Sequence, residues 1–262
     1  MSMTAPYLAF ALFMIPARYI AIAGFFYFLF YYFKREKWHH LKIQKKFPSP
    51  GIIKLEIVYS LITMTIYSII AFIIFKMYWM DYTFLYTNIS DKGKLYFILS
   101  TILIIIFHDL YFYVTHRIMH HRSIYHFVHK VHHISVNPTP WAAFSFHPIE
   151  ALVSIIWIPF IIMLIPFHIF SLAIWALYMM LFNIIGHLGY EFFPKRFADS
   201  FIGSIFFTSL FHNLHHSTHN SNYGLYFILW DRLFSTINNS YKNIYNEFQN
   251  DISSHVRQNV SE

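Results

Sequence analysis

The sequence predicts an all-helical integral membrane protein, with about three membrane spans, a helical hairpin and a histidine-rich helical cap on the cytoplasmic side. Three observations predict this. Of 262 residues, 57% are hydrophobic and only 12% are charged, against roughly 45–50% and 25% in a soluble domain. The apolar residues fall in long blocks. The 18 histidines gather in clusters that flank those blocks.

The first block runs from about Pro6 to Phe33. A helix of that length spans about 42 Å, more than a hydrocarbon core of about 30 Å. Pro16 and Arg18 leave two readings open. The span begins near Pro16 behind an interfacial segment, or one long tilted helix carries Arg18 toward the interface. The second block, Ile52 to Phe75, starts cleanly after the Pro48-Ser49-Pro50-Gly51 turn. The third begins near Lys94 or Leu95 and is apolar to Phe107. Its helix continues through His108, which places that residue near the membrane boundary. The fourth block, Ala151 to Gly186, is too long for one span and just long enough for two. Pro166-Phe167-His168 near its middle suggests a hairpin that leaves and returns to the same side. From about Asn238 the chain is polar and rich in Asn and Ser, as in a solvated tail or weak cap. Three regions result: N-terminal spans over 1–106, a histidine-rich unit over 107–237 that includes the hairpin 151–186, and a tail over 238–262.

Loop charge orients the chain. Lys34, Arg35, Lys37, Lys42, Lys45, Lys46 and Lys54 crowd the first loop, whereas the next holds only Lys76, Lys92 and Lys94. The first loop is therefore expected on the cytoplasmic face and the second outside. Counting spans onward puts every histidine cluster on the cytoplasmic face. The formal charge of +7 thus fits topology and implies no nucleic-acid partner. No basic residue precedes Arg18, so a secretory signal is not expected. The absence of cysteine excludes disulfides and thiolate metal sites. No glycine-rich nucleotide motif is present.

Three histidine words carry the chemistry. In HDLYFYVTHRIMHH, His108, His116 and His120 fall within roughly a 120° arc of a helix. His116 and His120 have the i, i+4 spacing that lets two imidazoles converge on one ion. In HKVHH, His129, His132 and His133 share roughly a 100° face if helical. In HNLHHSTH, His212, His215 and His216 repeat that spacing, and His219 lies on the same face. His147 and His187 stand at the ends of the hairpin. Isolated rings such as His39, His40, His168 and His255 are ordinary interfacial histidines. Clusters this dense are costly unless a metal holds them, and neutral imidazole is the commonest protein metal ligand. Eight to ten imidazoles exceed what one ion accepts, so two ions are expected. Nitrogen donors suit iron, zinc or copper. Asp109, Glu150, Glu191 and Asp231 accompany the clusters, either as ligands or as acceptors that orient ligand rings, and Asp109 and Asp231 read equally well as ordinary helix or turn residues. Two other classes fit less well. A metal transporter needs polar ligands at mid-membrane, and a bis-His cytochrome needs isolated histidines deep in facing spans.

These motifs resemble the sterol desaturase/fatty acid hydroxylase superfamily of membrane oxidases. The pattern is one H-x3-H followed by two H-x2-HH boxes, and HPIE, GHLGYE and NYG...WDRLFST add to it. The resemblance covers about Phe107 to Thr236. It implies that His116, His120, His129, His132, His133, His212, His215 and His216 are metal ligands, with His187 a good candidate. His108, His147 and His219 are less secure, and His121 faces elsewhere. Asn222-Tyr223-Gly224 is expected to shape backbone near the site, with Gly224 in an unusual turn. The resemblance further implies a di-iron centre, with zinc as a possible substitute. The expected reaction is O2-dependent hydroxylation or desaturation of an unactivated C–H bond in a lipid. Electrons would come from a separate donor, such as a cytochrome or ferredoxin with its reductase. The basic loop offers an acidic donor a place to dock, although setting topology is the commoner use of such a loop. Trp141, Phe144, Phe146 and Tyr223 are candidates to wall a lipid channel, although core packing is the commoner use of such side chains.

Overall fold

The computed structural model describes residues 4–260. Among them every regular element is helical, and β pairing is limited to isolated bridges. Four helices are long and apolar enough to cross a membrane, and they supply the scaffold.

Helix α1 (Thr4–Tyr27) passes through Pro16 without a break and continues as a π-helical turn over Phe28–Phe33. The structure therefore forms the one long helix of the second reading, but it buries Arg18 Nε within the bundle. Helix α2 (Pro50–Trp79) begins as the turn predicts. Pro50 occupies the first turn, where its missing N–H costs nothing, and the Ser49 hydroxyl caps Ile52 N at 3.4 Å. Helices α1 and α2 run antiparallel. Tyr7 stacks on Phe75, and Ser68 donates to Ala11 O at 3.1 Å. Helix α3 (Lys94–Met119) extends about three turns beyond His108. His108 is buried between the Trp157 and Trp175 rings.

Short helices α4 (Arg122–Val128) and α5 (Lys130–His133) follow. The hairpin then forms, with unequal arms. Its first arm is broken into α6 (Pro148–Ile155) and α7 (Trp157–Ile161), and its second is the single helix α8 (Ile169–Gly186). Its tip pairs with the α2–α3 loop. Phe84 N donates to Ile162 O, Tyr86 N to Phe167 O, and Ile169 N to Tyr86 O. His168 caps α8 through Nδ1 and meets Thr87 O with Nε2 at 2.9 Å. The tip and the α2–α3 loop thus share one end of the bundle. At the other end, Ile43 N donates to Gly189 O and Glu191 N to Leu41 O, tying the basic loop to the chain just after α8.

Helices α9 (Ser209–Thr218), α10 (Leu229–Leu233) and α11 (Tyr241–Val260) complete the cap. Helix α11 takes the second of the two readings of this polar segment, a cap rather than a solvated tail. Tyr241, Ile244, Tyr245 and Phe248 recur at helical spacing among the Asn and Ser residues, and this narrow stripe packs on Phe207, Leu210 and Phe211. Tyr245 also donates to Pro194 O at 3.0 Å.

Candidate metal centre

Nine histidines assemble into two adjoining groups at the basic-loop end. His116, His120, His129, His133 and His215 form one, and His132, His187, His212 and His216 the other. Within each group the ligand nitrogens all lie within 4.8 Å of one another. His116 and His120 close the last turn of α3, His187 caps α8, and α5 and α9 bring the two boxes between them.

Each H-x2-HH box serves both groups, so its three rings do not share one face. His129 and His133, at i, i+4, enter the first group, while His132 points to the second. His212 and His216, again at i, i+4, enter the second, while His215 points to the first. Adjacent helix positions differ by about 100°, so neighbouring rings are delivered to different sites. The groups touch across this divide, with the His133 and His216 ring centroids 4.8 Å apart.

Ring orientation is set from behind. His116 Nδ1 donates to Tyr223 O at 2.8 Å, His215 Nδ1 to Ser221 O at 2.7 Å, and His187 Nδ1 to Asn183 O at 2.7 Å. A carbonyl can only accept, so these bonds fix the Nδ1–H tautomer and leave each Nε2 a bare lone pair. Those lone pairs point at other imidazole nitrogens. His187 Nε2 lies 3.1 Å from both His212 Nε2 and His216 Nε2 and 3.2 Å from His132 Nε2. One lone pair accepts one proton, so hydrogen bonding cannot satisfy all three contacts. In the first group His133 Nε2 sits 3.1 Å from the Nε2 atoms of His120, His129 and His215. Convergent lone pairs repel unless an electropositive centre lies among them. Both groups therefore fit metal ions, as four-nitrogen and five-nitrogen donor sets.

Electrostatics agree. Burial, reinforced by neighbouring imidazoles, pushes His129, His132, His133, His212, His215 and His216 far below the ordinary histidine range, and burial brings His187 down to about 4. The rings are thus neutral at physiological pH, the state a metal requires.

The accompanying carboxylates divide. Only Glu150 reaches a ring of either group, with Oε1 2.7 Å from His129 Nδ1. Asp109 instead accepts from Tyr226 N and Trp230 Nε1. Asp231 accepts from Tyr223 N, Gly224 N and Thr236 Oγ1. Glu191 accepts from Phe193 N and Leu210 N. Glu191 is thereby corrected from a ring partner to a main-chain brace, and Asp109 and Asp231 take the ordinary structural reading: no imidazole lies within reach of the three, and other donors occupy each. Asp231 still serves the site, because it holds the segment whose Tyr223 carbonyl orients His116.

The less secure histidines lie outside both groups. His108 Nδ1 meets Tyr226 Oη at 2.7 Å. His147 caps α6 through Nδ1. His219 has a left-handed backbone, φ 66°, that ends α9, yet its ring centroid is 4.4 Å from that of His133. Gly224 is also a correction. Its φ is not positive; Asn222 has that turn, at φ 60°. Gly224 is needed for space, since a Cβ there would lie 2.5 Å from Phe227 O.

Of the four candidate wall aromatics, Phe146 touches His132 with centroids 5.1 Å apart, and Tyr223 packs on His116, His120 and His215. Trp141 and Phe144 belong to the apolar core. Sequence reading missed the three carbonyl acceptors, because a backbone oxygen leaves no mark in side-chain identity. It also missed Tyr125, whose ring lies over His120 and His133.

Comparisons with known proteins bear on these features. A family model described as fatty acid hydroxylase matches residues 101–236, just over half the chain. A Delta(7)-sterol 5(6)-desaturase of Gibberella zeae is 36% identical over 141 residues, covering 54% of this chain and 39% of that protein. A second, from Aspergillus fumigatus, is 45% identical over 69 residues, 26% of this chain and 22% of that protein. The lathosterol oxidase of Rattus norvegicus is 36% identical over 91 residues, 34% of this chain and 27% of that protein. The chain thus matches well under half the length of each of these relatives. No solved structure matches.

Proposed function

We propose a function from one premise: the chain belongs to the fatty acid hydroxylase family, within the sterol desaturase/fatty acid hydroxylase superfamily. The protein is a membrane-bound oxidoreductase of lipids, with residues 107–237 as its catalytic unit. The observation that carries this reading is the pair of adjoining nitrogen cages. His116, His120, His129, His133 and His215 hold one iron, and His132, His187, His212 and His216 the other. Zinc fits the same donors as a substitute. When bound, the two irons supply the O2-dependent oxidation of an unactivated C–H bond. Hydroxylation consumes one O2, two electrons and two protons, and yields the alcohol and one water. Desaturation consumes the same and yields the alkene and two waters.

The residues of this chain prepare the site. Glu150 and the carbonyls of Tyr223, Ser221 and Asn183 hold the rings in register before any ion arrives. This preorganisation is what second-sphere contacts contribute in histidine metal sites. The cages occupy the ends of α3 and α8, where a lipid chain, O2 and a soluble electron donor can meet. Ligands at helix ends also suit an oxidase better than a transporter, whose ligands lie at mid-span. The loop-charge bias supports a cytoplasmic position for this end. The substrate is a sterol, fatty acyl or related lipid, and the two electrons come from a separate cytochrome or ferredoxin.

Comparative lipidomics tests the reaction. Cells carrying the wild-type chain with O2 accumulate a lipid that has gained one oxygen or lost two hydrogens. Cells carrying His132→Ala, or wild-type cells without O2, do not. Identical lipid profiles in all three would overturn the proposal.

A further inference from the structure

A cavity of about 230 Å³ lies within the helical bundle, among α1, α2, the α6–α7 arm and α8. Its walls are apolar, with Ile15, Ile70, Ile155 and Leu172 among them. The one charged residue in its lining is Arg18. Among the described residues Arg18 has no ion pair or hydrogen bond, and its Nε is buried without a partner.

Position makes this unusual. Arg18 lies near the middle of a long apolar helix, about 20 Å from either end of the candidate span Ala5–Phe33. A cation at such depth is rare and normally paired, and it marks a ligand pathway when it is not. A guanidinium offers only donors, so its partner must bring an acceptor oxygen. The surrounding walls require the rest of that partner to be apolar.

We propose that this cavity binds a lipid that carries a hydroxyl, carbonyl or carboxylate oxygen, held by the Arg18 guanidinium inside the bilayer. The site is separate from the histidine cages. Along α8, Met179 in the cavity wall precedes His187 by eight residues, about 12 Å, and Leu172 lies about 22 Å away. Packed rings fill the space between: Tyr67 in the wall meets Phe144, Phe144 meets Phe146, and Phe146 meets His132. The site goes beyond the proposed oxidation and needs no metal.

Photolabelling of the full chain in phosphatidylcholine nanodiscs tests it. Two diazirine probes are used separately, one a cholesterol and one a palmitate, and adducts are mapped by peptide mass spectrometry. At least one probe labels the cavity segments of α1, α2 or α8, and the responsive probe tells sterol from fatty acid. Arg18→Gln lowers that labelling at least fivefold, and Ala176→Phe, which fills the cavity, does the same. Arg18→Lys retains part of it. Unlabelled oleate or cholesterol competes on the unaltered chain, while hexadecane, which lacks the oxygen, does not. This competition stands even where a variant fails to fold. Labelling is equal in metal-loaded and metal-stripped protein, so it succeeds or fails independently of the oxidase reading. Absence of cavity adducts with both probes, labelling unaffected by Arg18→Gln, or equal competition by hexadecane would overturn the proposal.

Discussion

Among the described residues Glu150 is the one carboxylate that touches a cage ring, and its bond to His129 Nδ1 makes it a positioning residue. Removing such a partner typically costs 10–100-fold in metal affinity. Glu150→Gln is therefore expected to weaken metal binding by roughly that factor in the first group and to spare the second, as read by competition with a graded series of chelators. Lys42 is a different case. It is fully buried, with Nζ over the rings of Tyr31, Phe47 and Tyr190. Burial pushes its ammonium down from 10.5 to about 8. The unfolded chain then holds this proton more tightly than the folded one. The stability gained from this group is full above pH 10.5 and is lost as pH falls toward 8, staying constant below. Relative to Lys42→Met, the wild-type chain should gain about 3 kcal/mol between those pH values, as measured by paired thermal melts in detergent. A flat difference would contradict the burial of the charge. At this scale the grouped histidines were legible, because i, i+4 spacing and clustering leave few other uses. Their division was not: which of His132 and His133 enters which cage depends on how α5 is rotated against α9.

Helices position these side chains, and the segment after α9 orients two of them. Asp231 shows how. It gathers Tyr223 N, Gly224 N and Thr236 Oγ1 onto one carboxylate, and that segment carries the carbonyls that accept from His116 and His215. Asp231→Ala leaves buried donors unpaired, at about 1–3 kcal/mol each. A fall in stability of roughly 3 kcal/mol is expected, with metal loss chiefly from the first group, as read by chemical denaturation alongside metal analysis. Unchanged metal content would show that the segment is only a tether. The spans were legible as elements, since apolar blocks bounded by Pro48-Ser49-Pro50-Gly51 or Pro166-Phe167-His168 have few alternatives. Helix α11 was not. Its stripe of Tyr241, Ile244, Tyr245 and Phe248 is only one or two side chains wide, and the abundant Asn and Ser mask the period. Gly224 carried a real signal with the wrong cause, because composition cannot separate a need for positive φ from a need for space.

For the molecule as a whole, the structure separates two ends of one bundle. The hairpin tip and the α2–α3 loop share one, and the basic loop and both histidine cages share the other. Hairpin topology was legible from block length and a central proline, and it alone brings Glu150 and His187 to the same end. Since the chain has no cysteine, single cysteines report this directly. Lys46→Cys and Ser217→Cys should react with a membrane-impermeant maleimide from the cytoplasmic side, and Ser90→Cys from the opposite side only. Labelling of Lys46→Cys and Ser217→Cys from different sides would break the topology. Two adjoining cages should hold two ions, and metal stoichiometry on the purified chain decides it. The wild-type chain should retain two irons, and His187→Ala, which opens only the four-nitrogen cage, should retain about one. A wild-type chain that binds a single ion, or none, under conditions where it stays folded would contradict the account.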